Sequence, residues 1–391
     1  MRRIVALFLL SSCGEVQGDM PGDGSTTSDA GDDAAPETDA PPAACGDGVR
    51  NPGEACFGTP FSLDGGDSAR EAQFADVDGD GDLDLLFATG TQLSYFPQQS
   101  GTFATTPSDG PPITGSRFRA ANIGGDARLE LIGAGTGSIS TWQTSGTSTA
   151  YTSTVATTEV SISPAGVELA KITNSATPEV VSAYGDKIFL GTYNTNMVLT
   201  NVSDRGVVKI SALATGALDS DAFDDVAIAA VGGIVVFRGT STGLDTVITT
   251  PQLTSASGIA IGDLDADGVA DLIFAKSGTS GSLNWMRGLG NMTFAAVQTK
   301  AIANLAGDIV VTDIDGDGRV DVIGGRSRGT LAVLVFHGKS DGTFTDPVEL
   351  PYPFATMSSI SANADYNGDG VADIVTTVSS TGEIAVYPSW P

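Results

Sequence analysis

The chain has 391 residues, 50 of them glycine, and a formal net charge of −28. It is long enough for a large hydrophobic core, but it lacks the basic surface that nucleic-acid binding needs, so we expect no nucleic-acid partner. With one histidine and three cysteines, all three within the first 56 residues, most metal-hydrolase and triad chemistries lack their usual residues.

The chain begins with a basic segment and an apolar run, residues 1–10, too short to span a bilayer as a helix. It predicts an export signal. Leu10-Ser-Ser-Cys13 follows and resembles the lipobox of bacterial lipoproteins, which implies a signal peptide at 1–12 and a lipidated Cys13. The alternative is an ordinary cleaved signal with a chance cysteine. Because Gly14 rather than Asp follows the cysteine, the resemblance favours the outer membrane, on its periplasmic face or at the cell surface.

The next segment, residues 13–44, consists mostly of Asp, Gly, Ser, Thr, Ala and Pro. It cannot bury enough apolar surface to offset its ordering entropy, so we predict a disordered acidic stalk. A turn-rich loop at 45–56 lies between Cys45 and Cys56 and resembles Cys-bracketed segments of bacterial surface proteins. In an oxidising compartment these two cysteines are expected to form a disulfide.

From residue 57 to 391 an Asp-rich segment recurs. Its clearest copy places carboxylates at positions 1, 3, 5 and 9 and glycine at position 6, beginning at Asp313. Alternate side chains of a tight loop converge, and oxygen ligands with a turn glycine suit Ca²⁺. Seven copies start at residues 76, 122, 171, 217, 263, 313 and 365, and this spacing predicts a repeat architecture. Those starting at 76, 263, 313 and 365 are complete, and about half of the 47 acidic residues lie in these loops and in the stalk.

Each full repeat contains four short strand-like segments, and in every repeat except the third the third segment carries a large aromatic residue. This is typical of one blade of a β-propeller. The fold class is therefore predicted as all-β, a seven-bladed propeller with calcium-binding loops. The last repeat has room for only three strands before residue 391, so we predict that residues 57–63 supply its fourth strand.

Three copies are degraded. The copy at 217 keeps Asp219, Asp221 and Asp225, a possible weak fifth metal site, whereas those at 122 and 171 are predicted to bind no metal. An EF-hand would need a carboxylate at position 12 and a following helix, and the complete loops have Phe87, Phe274, Gly324 and Thr376 there, so that alternative fails.

These repeats resemble the FG-GAP/VCBS family, which includes the integrin α-subunit propellers, over about residues 57–391. The resemblance implies a calcium site with side chains at positions 1, 3, 5 and 9 and a backbone carbonyl at position 7. The Phe-Gly and Gly-Ala-Pro ends that name the family are missing, which favours the bacterial VCBS type over an integrin-like ligand site. The implied ligands are Asp76, Asp78, Asp80, Asp82 and Asp84; Asp263, Asp265, Asp267, Val269 and Asp271; Asp313, Asp315, Asp317, Arg319 and Asp321; and Asp365, Asn367, Asp369, Val371 and Asp373.

Other motifs compete with this interpretation. The segment from Gly338 to Gly342 matches the G-x-S-x-G hydrolase motif, but its alignment with other inter-strand turns predicts a hairpin, with His337 as a strand-end residue. The strand-three aromatics are predicted to form the core, although Trp142 or Trp390 could instead stack on sugars.

The sequence favours a non-enzymatic, lipid-anchored, monomeric binding or adhesion module for an unknown protein or glycan. The alternative is a polysaccharide-directed enzyme or lectin with its site at the axial mouth, because two carboxylates suffice for glycoside hydrolysis.

Overall fold

The computed structural model describes most of the chain after residue 55, and every regular element in it is a β-strand. The described residues are 56–66, 68–113, 115–121, 123, 129–144, 151–157, 163–192, 199–201, 209–250, 256–329, 331–352 and 357–390. Over those ranges no helix has the length and apolar character needed to cross a membrane. The predicted signal peptide, Cys13, the stalk, Cys45 and most of the loop at 122 lie outside them. Cys56 is disulfide-bonded.

The strands form seven antiparallel four-stranded sheets, here called blades one to seven in the order of their Asp loops. Blade one comprises Glu71–Ala75, Asp84–Ala88, Gln92–Phe96 and Ser108–Pro112. Blade two comprises Gly115–Ala121, Glu130–Gly135, Ser138–Thr144 and Tyr151–Thr157. Blade three comprises Gly166–Ala170, Glu179–Tyr184, Lys187–Thr192 and Leu199–Asn201. Blades four and five comprise Ile210–Gly216, Asp225–Ala230, Gly233–Thr240 and Gly243–Thr250; and Gly258–Gly262, Asp271–Lys276, Ser282–Met286 and Gln298–Ala301. Blades six and seven comprise Leu305–Thr312, Asp321–Arg326, Ala332–Phe336 and Val348–Pro351; and Ser359–Ala364, Asp373–Thr377, Glu383–Tyr387 and Phe61–Asp64.

The first strand of each blade contacts the first strand of the next, and the first strand of blade seven contacts that of blade one. These contacts close a ring around an axis, so the all-β, seven-bladed prediction is confirmed. The disordered stalk and the calcium binding of the loops stay predictions. Two short ladders add to the blades: Gln98–Gln99 pairs with Thr102–Phe103, and Cys56–Phe57 pairs with Ser389–Trp390.

A hydrophobic cluster lies between each pair of neighbouring blades. The second strand of a blade serves two clusters, because successive side chains point to opposite faces. In blade one, Leu85 and Phe87 pack towards blade seven, whereas Leu86 and Ala88 pack towards blade two. This explains why the second strands are continuous apolar runs rather than alternating ones.

The strand-three aromatics belong to these clusters, as predicted. All six are buried, with relative exposures of 5% or less: Phe96, Trp142, Phe237, Trp285, Phe336 and Tyr387. The hypothesis that Trp142 stacks on a sugar is therefore wrong, since the side chain is 3% exposed and packs between blades one and two. The side chain of Trp390 lies outside the described part of the structure.

The N-terminal part of the propeller completes blade seven, as the sequence predicts. The paired strand is Phe61–Asp64, with Phe61 opposite Val386 and Asp64 opposite Glu383. It begins later than predicted because Phe57 pairs separately with Ser389. Phe61 and Leu63 face the cluster between blades seven and one, while Ser62 and Asp64 are exposed.

This closing strand allows a matched test. We expect Leu63→Asp to lower the free energy of unfolding by about 2 kcal/mol, because it places a charge against an apolar cluster. Ser62→Asp, on the opposite face of the same strand, should change it by less than about 0.5 kcal/mol. Guanidinium unfolding monitored by tryptophan fluorescence measures both. Equal effects of the two variants would show that the strand does not close the ring.

Candidate metal centre

The complete Asp loops connect the first and second strands of blades one, five, six and seven. In each, the first-position carboxylate accepts the backbone N–H of the sixth-position glycine: Gly81 to Asp76 at 3.1 Å, Gly268 to Asp263 at 2.7 Å, Gly318 to Asp313 at 3.0 Å and Gly370 to Asp365 at 2.6 Å. All four glycines have positive φ, between 83° and 96°, which residues with a side chain rarely adopt. The sequence spacing therefore predicts the loop conformation correctly.

The fifth-position carboxylates tighten the second half of each loop. Each accepts the backbone N–H of the seventh residue: Asp82 to Asp80 at 2.9 Å, Val269 to Asp267 at 2.9 Å, Arg319 to Asp317 at 2.8 Å and Val371 to Asp369 at 3.0 Å. The metal-ligand role of the seventh-position carbonyls stays a prediction.

Carboxylate oxygens converge in three of these loops, with ligand atoms within 4.8 Å of one another. The groups are Asp76, Asp78 and Asp84; Asp263, Asp265 and Asp271; and Asp313, Asp315 and Asp317. In blade seven Asn367 takes the third position, and its Oδ1 accepts the N–H of Asp369 at 3.0 Å. Hard oxygen donors in this arrangement fit a cation such as Ca²⁺.

One atom gives a sharper test of that fit. Asp265 Oδ1 is buried and has no hydrogen-bond partner, although the other oxygen of the same carboxylate is 2.7 Å from Arg287 Nε. Burying a carboxylate oxygen without a partner is costly. A cation held between Asp263, Asp265 and Asp271 would supply the missing interaction, so the residues present fit a metal.

The ninth-position acid has a structural role in every repeat. The seven side chains are fully buried, with exposures of 0% or 1%: Asp84, Glu130, Glu179, Asp225, Asp271, Asp321 and Asp373. In blade five, Asp271 Oδ2 accepts the N–H of Leu264 in the loop at 2.8 Å, and its Oδ1 accepts the N–H of Gly288 beyond strand three at 2.7 Å. Asp225 makes the same pair of bonds in degraded blade four, to Leu218 at 2.8 Å and Gly239 at 2.9 Å.

Sequence reasoning treated the ninth acid only as a ligand and missed this second role. The signal was present, because an acid stands at that position in the degraded repeats too. Burial raises the pKa of Asp84, Asp225, Asp271 and Asp373 to about 6, the backbone hydrogen bonds partly opposing it.

Three basic side chains reach the loops from the ends of third strands, and the sequence did not reveal them. Arg238 contacts Asp219 and Asp221, Arg287 contacts Asp265 and Asp267, and His337 Nδ1 lies 3.0 Å from Asp315 Oδ2 and 3.6 Å from Asp321 Oδ1. The prediction of His337 as a mere strand-end residue was therefore incomplete. The two carboxylates raise its pKa to about 9 against the effect of burial.

The G-x-S-x-G match is a hairpin turn. The N–H of Gly342 donates to the carbonyl of Lys339 at 2.9 Å, the N–H of Lys339 donates to the carbonyl of Thr343 at 2.9 Å, and Gly338 bridges to Phe344. A nucleophile elbow joins a strand to a helix, so this motif carries no hydrolase site.

A second candidate site lies on the ring axis, where the first strands enclose a cavity of about 760 Å³. One side of its wall is charged: Arg119 bridges Glu71 of blade one, at 2.7 Å, and Glu168 of blade three. Asp308 of blade six also lines the cavity. Burial and the negative charge of Glu71 raise the pKa of Asp308, while Arg117 and Arg119 act in the opposite direction.

Comparison with known proteins agrees with this architecture. The model of the FG-GAP-like repeat matches residues 263–323 and 313–376. No curated protein matches the sequence. The solved structure of an Agrocybe aegerita lectin, titled as recognising non-reducing terminal N-acetylglucosamine, is 16% identical, with a TM-score of 0.58 over 86% of this chain and 96% of the lectin. BBS1N, solved in complex with ARL6DN, is 13% identical, with a TM-score of 0.60 over 88% of this chain and 98% of BBS1N.

At such low identity, the two structural likenesses show the fold alone. The family match covers the loops of blades five to seven, where the hydrogen-bond geometry is complete. The chain therefore carries FG-GAP-like repeats within a seven-bladed β-propeller, an architecture that usually serves as a binding module.

Proposed function

We propose that the protein is a calcium-stabilised, lipid-anchored propeller of the bacterial cell envelope that acts as a binding or adhesion module. The observation that carries the calcium part is the buried, unpartnered Asp265 Oδ1, because the neighbouring loop carboxylate oxygens already accept hydrogen bonds from backbone N–H groups or contact Arg287. Three further loops share the sequence pattern and the hydrogen bonds of that loop. When bound, Ca²⁺ supplies the positive charge that the clustered carboxylates lack.

The loops are placed for stability rather than for chemistry. Each joins the first strand of a blade, which lines the ring axis, to the buried second strand. A cation there would fix the spacing of these two strands, because its ligands would include the first-position acid, directly after strand one, and the ninth-position acid, the first residue of strand two. Binding only to the folded state stabilises that state by mass action.

The blade-one loop offers a test, because its fifth-position acid can be neutralised with little change of shape. Asp80→Asn keeps an oxygen that can accept the N–H of Asp82, now 2.9 Å from Asp80 Oδ1, but removes one charge from the cluster. We expect the variant to bind one fewer calcium ion tightly and to lose several degrees of melting temperature in calcium, with no loss in chelator.

Asp346→Asn is the matched control, because this side chain is 98% exposed and contacts Lys300 outside any loop. Calorimetric titration counts the ions, and thermal unfolding with and without chelator gives the stability. If wild-type protein melts at the same temperature in excess calcium and in excess chelator, the calcium proposal is wrong.

The lipid anchor rests on the sequence Leu10-Ser-Ser-Cys13 after the apolar run. Cys13→Ala should leave the protein either unprocessed or released from membranes, because one acylated cysteine is then missing. Fractionation with detection of the mature N-terminus measures this outcome. A variant that is processed and sediments with outer membranes as before would refute the anchor.

A second candidate function, a polysaccharide-directed enzyme, is favoured by Asp308. This carboxyl lines the axial cavity, takes no part in an Asp loop and has a raised pKa, as a general acid requires. Glu71 lines the same cavity, but it is held by Arg119 and by the N–H of Phe118 at 3.0 Å. Such ties suit a structural carboxylate, and for this reason we place the enzyme second.

The enzyme candidate predicts reducing-sugar release from some member of a polysaccharide panel. Asp308→Asn should lower that release at least about 100-fold, since a general acid contributes roughly that much. Asp346→Asn should leave it unchanged. Absence of hydrolysis across the panel, or equal activity of both variants, would leave the binding module as the function.

A further inference from the structure

One position at the end of strand three lies beside the Asp loop of its own blade. We call it the cover position. Two backbone N–H groups donate to the ninth-position carboxylate, one from the loop and one from the end of strand three, and the cover residue immediately precedes the second of these donors. In blades one, four, five, six and seven those donors are Gln98, Gly239, Gly288, Gly338 and Ser389. The cover residues are therefore Pro97, Arg238, Arg287, His337 and Pro388.

Arg238 and Arg287 contact their loops through the same atoms. In blade four, Arg238 Nε lies 2.7 Å from Asp219 Oδ2, and its Nη2 lies 3.3 Å from Asp221 Oδ2. In blade five, Arg287 Nε lies 2.7 Å from Asp265 Oδ2, and its Nη2 lies 2.8 Å from Asp267 Oδ2. Each guanidinium thus joins the third- and fifth-position acids, two of the four side chains that the sequence pattern assigns to a metal.

Blade four lacks two parts of a metal site. Ala217 stands at the first position and Ala222 at the sixth, so both the first carboxylate and the turn glycine are missing. Nevertheless the side chain of Asp219 is only 2% exposed. A carboxylate buried to this degree needs a positive partner, and the planar guanidinium fork can serve two carboxylates at once.

Blade five has both a complete Asp loop and an arginine at the cover position. Its loop is complete, and Arg287 binds Asp265 Oδ2 while Asp265 Oδ1 stays without a partner. A metal ion bound to that free oxygen would lie beside the guanidinium of Arg287. The two positive charges would repel each other and weaken metal binding. Blades one and seven have proline at the cover position, so their loops meet no such charge from it.

We propose that Arg238 is the resident cation of blade four, where it replaces a metal ion, and that Arg287 makes the blade-five loop a weaker calcium site than the loops of blades one and seven. The blade-four half is independent of calcium. The blade-five half rests on the proposed function. The cover residue would thus determine whether the loop acids of a blade are neutralised by a basic side chain of the protein or by a metal ion.

The test compares Arg238→Gln and Arg287→Gln, which keep a hydrogen-bond donor and remove the charge. Lys300→Gln is the control: this lysine makes one ion pair, at 2.8 Å, to the exposed Asp346, away from the loops. In chelator, both cover variants should melt about 3 °C below wild type, whereas the control should shift by less than about 1 °C. In saturating calcium, Arg287→Gln should regain the wild-type melting temperature, and Arg238→Gln should not.

Titration of chelator-treated protein with calcium chloride separates the two blades. Arg287→Gln should tighten one site about tenfold, and Arg238→Gln should leave the number of ions unchanged. A fifth ion bound by Arg238→Gln, or wild-type stability of that variant in chelator, overturns the blade-four half. Unchanged or weaker binding by Arg287→Gln overturns the blade-five half.

A wild-type protein that binds no calcium would refute the calcium proposal and the blade-five half together. The melting temperatures of Arg238→Gln in chelator would still decide the blade-four half. The two failures are therefore distinguishable.

Discussion

The buried carboxylate at the ninth loop position is the interaction on which each blade depends. In blades one, four, five, six and seven it ties the loop between strands one and two to the end of strand three, as Asp271 does through Leu264 and Gly288. Two backbone N–H groups that would otherwise be buried without acceptors are satisfied by one side chain, which is why a charged residue is retained inside an apolar sheet. Asp225 makes both bonds in blade four, whose loop lacks the first acid and the turn glycine, so this tie does not need a complete metal loop.

Between the blades the stabilising interaction is hydrophobic. Each inter-blade cluster combines side chains of two neighbouring blades, most of them from strands one, two and three, so no blade has a core of its own. This makes closure of the ring a requirement, since an open ring would leave two apolar faces and unpaired strand edges in water. Phe61–Asp64 meets that requirement by pairing the first part of the propeller with the last.

Charge balance distinguishes the loops from one another. The loop conformation brings three carboxylates close together in three of the complete loops, and their mutual repulsion must be offset by positive charge. In blade one the neighbouring acids Asp80 and Asp76, together with burial, raise the pKa of Asp78. In blade five Arg287 has the opposite effect and lowers the pKa of Asp267. Loops that look alike in sequence therefore differ in how much they need an external cation.

Features that depend on local spacing could be predicted from the sequence. Alternating acids and the turn glycine specify each loop, because their hydrogen bonds join residues only two to five positions apart, as from Gly81 to Asp76. The period of the loops, the apolar second strands and the aromatic third strands specify the blade and the number of blades. The missing fourth strand of the last repeat also pointed to the N-terminal closure.

Contacts between segments that are far apart in the chain could not be predicted from local spacing. Arg238, Arg287 and His337, at the end of strand three, contact acids in the loop before strand two of the same blade, and no local pattern marks a basic residue as facing a loop. Trp142 is indistinguishable in sequence from an exposed aromatic, and packing of blade two against blade one buries it. The axial cavity joins Glu71, Arg119 and Asp308 from three different blades, because ring closure brings together strands that are far apart along the chain.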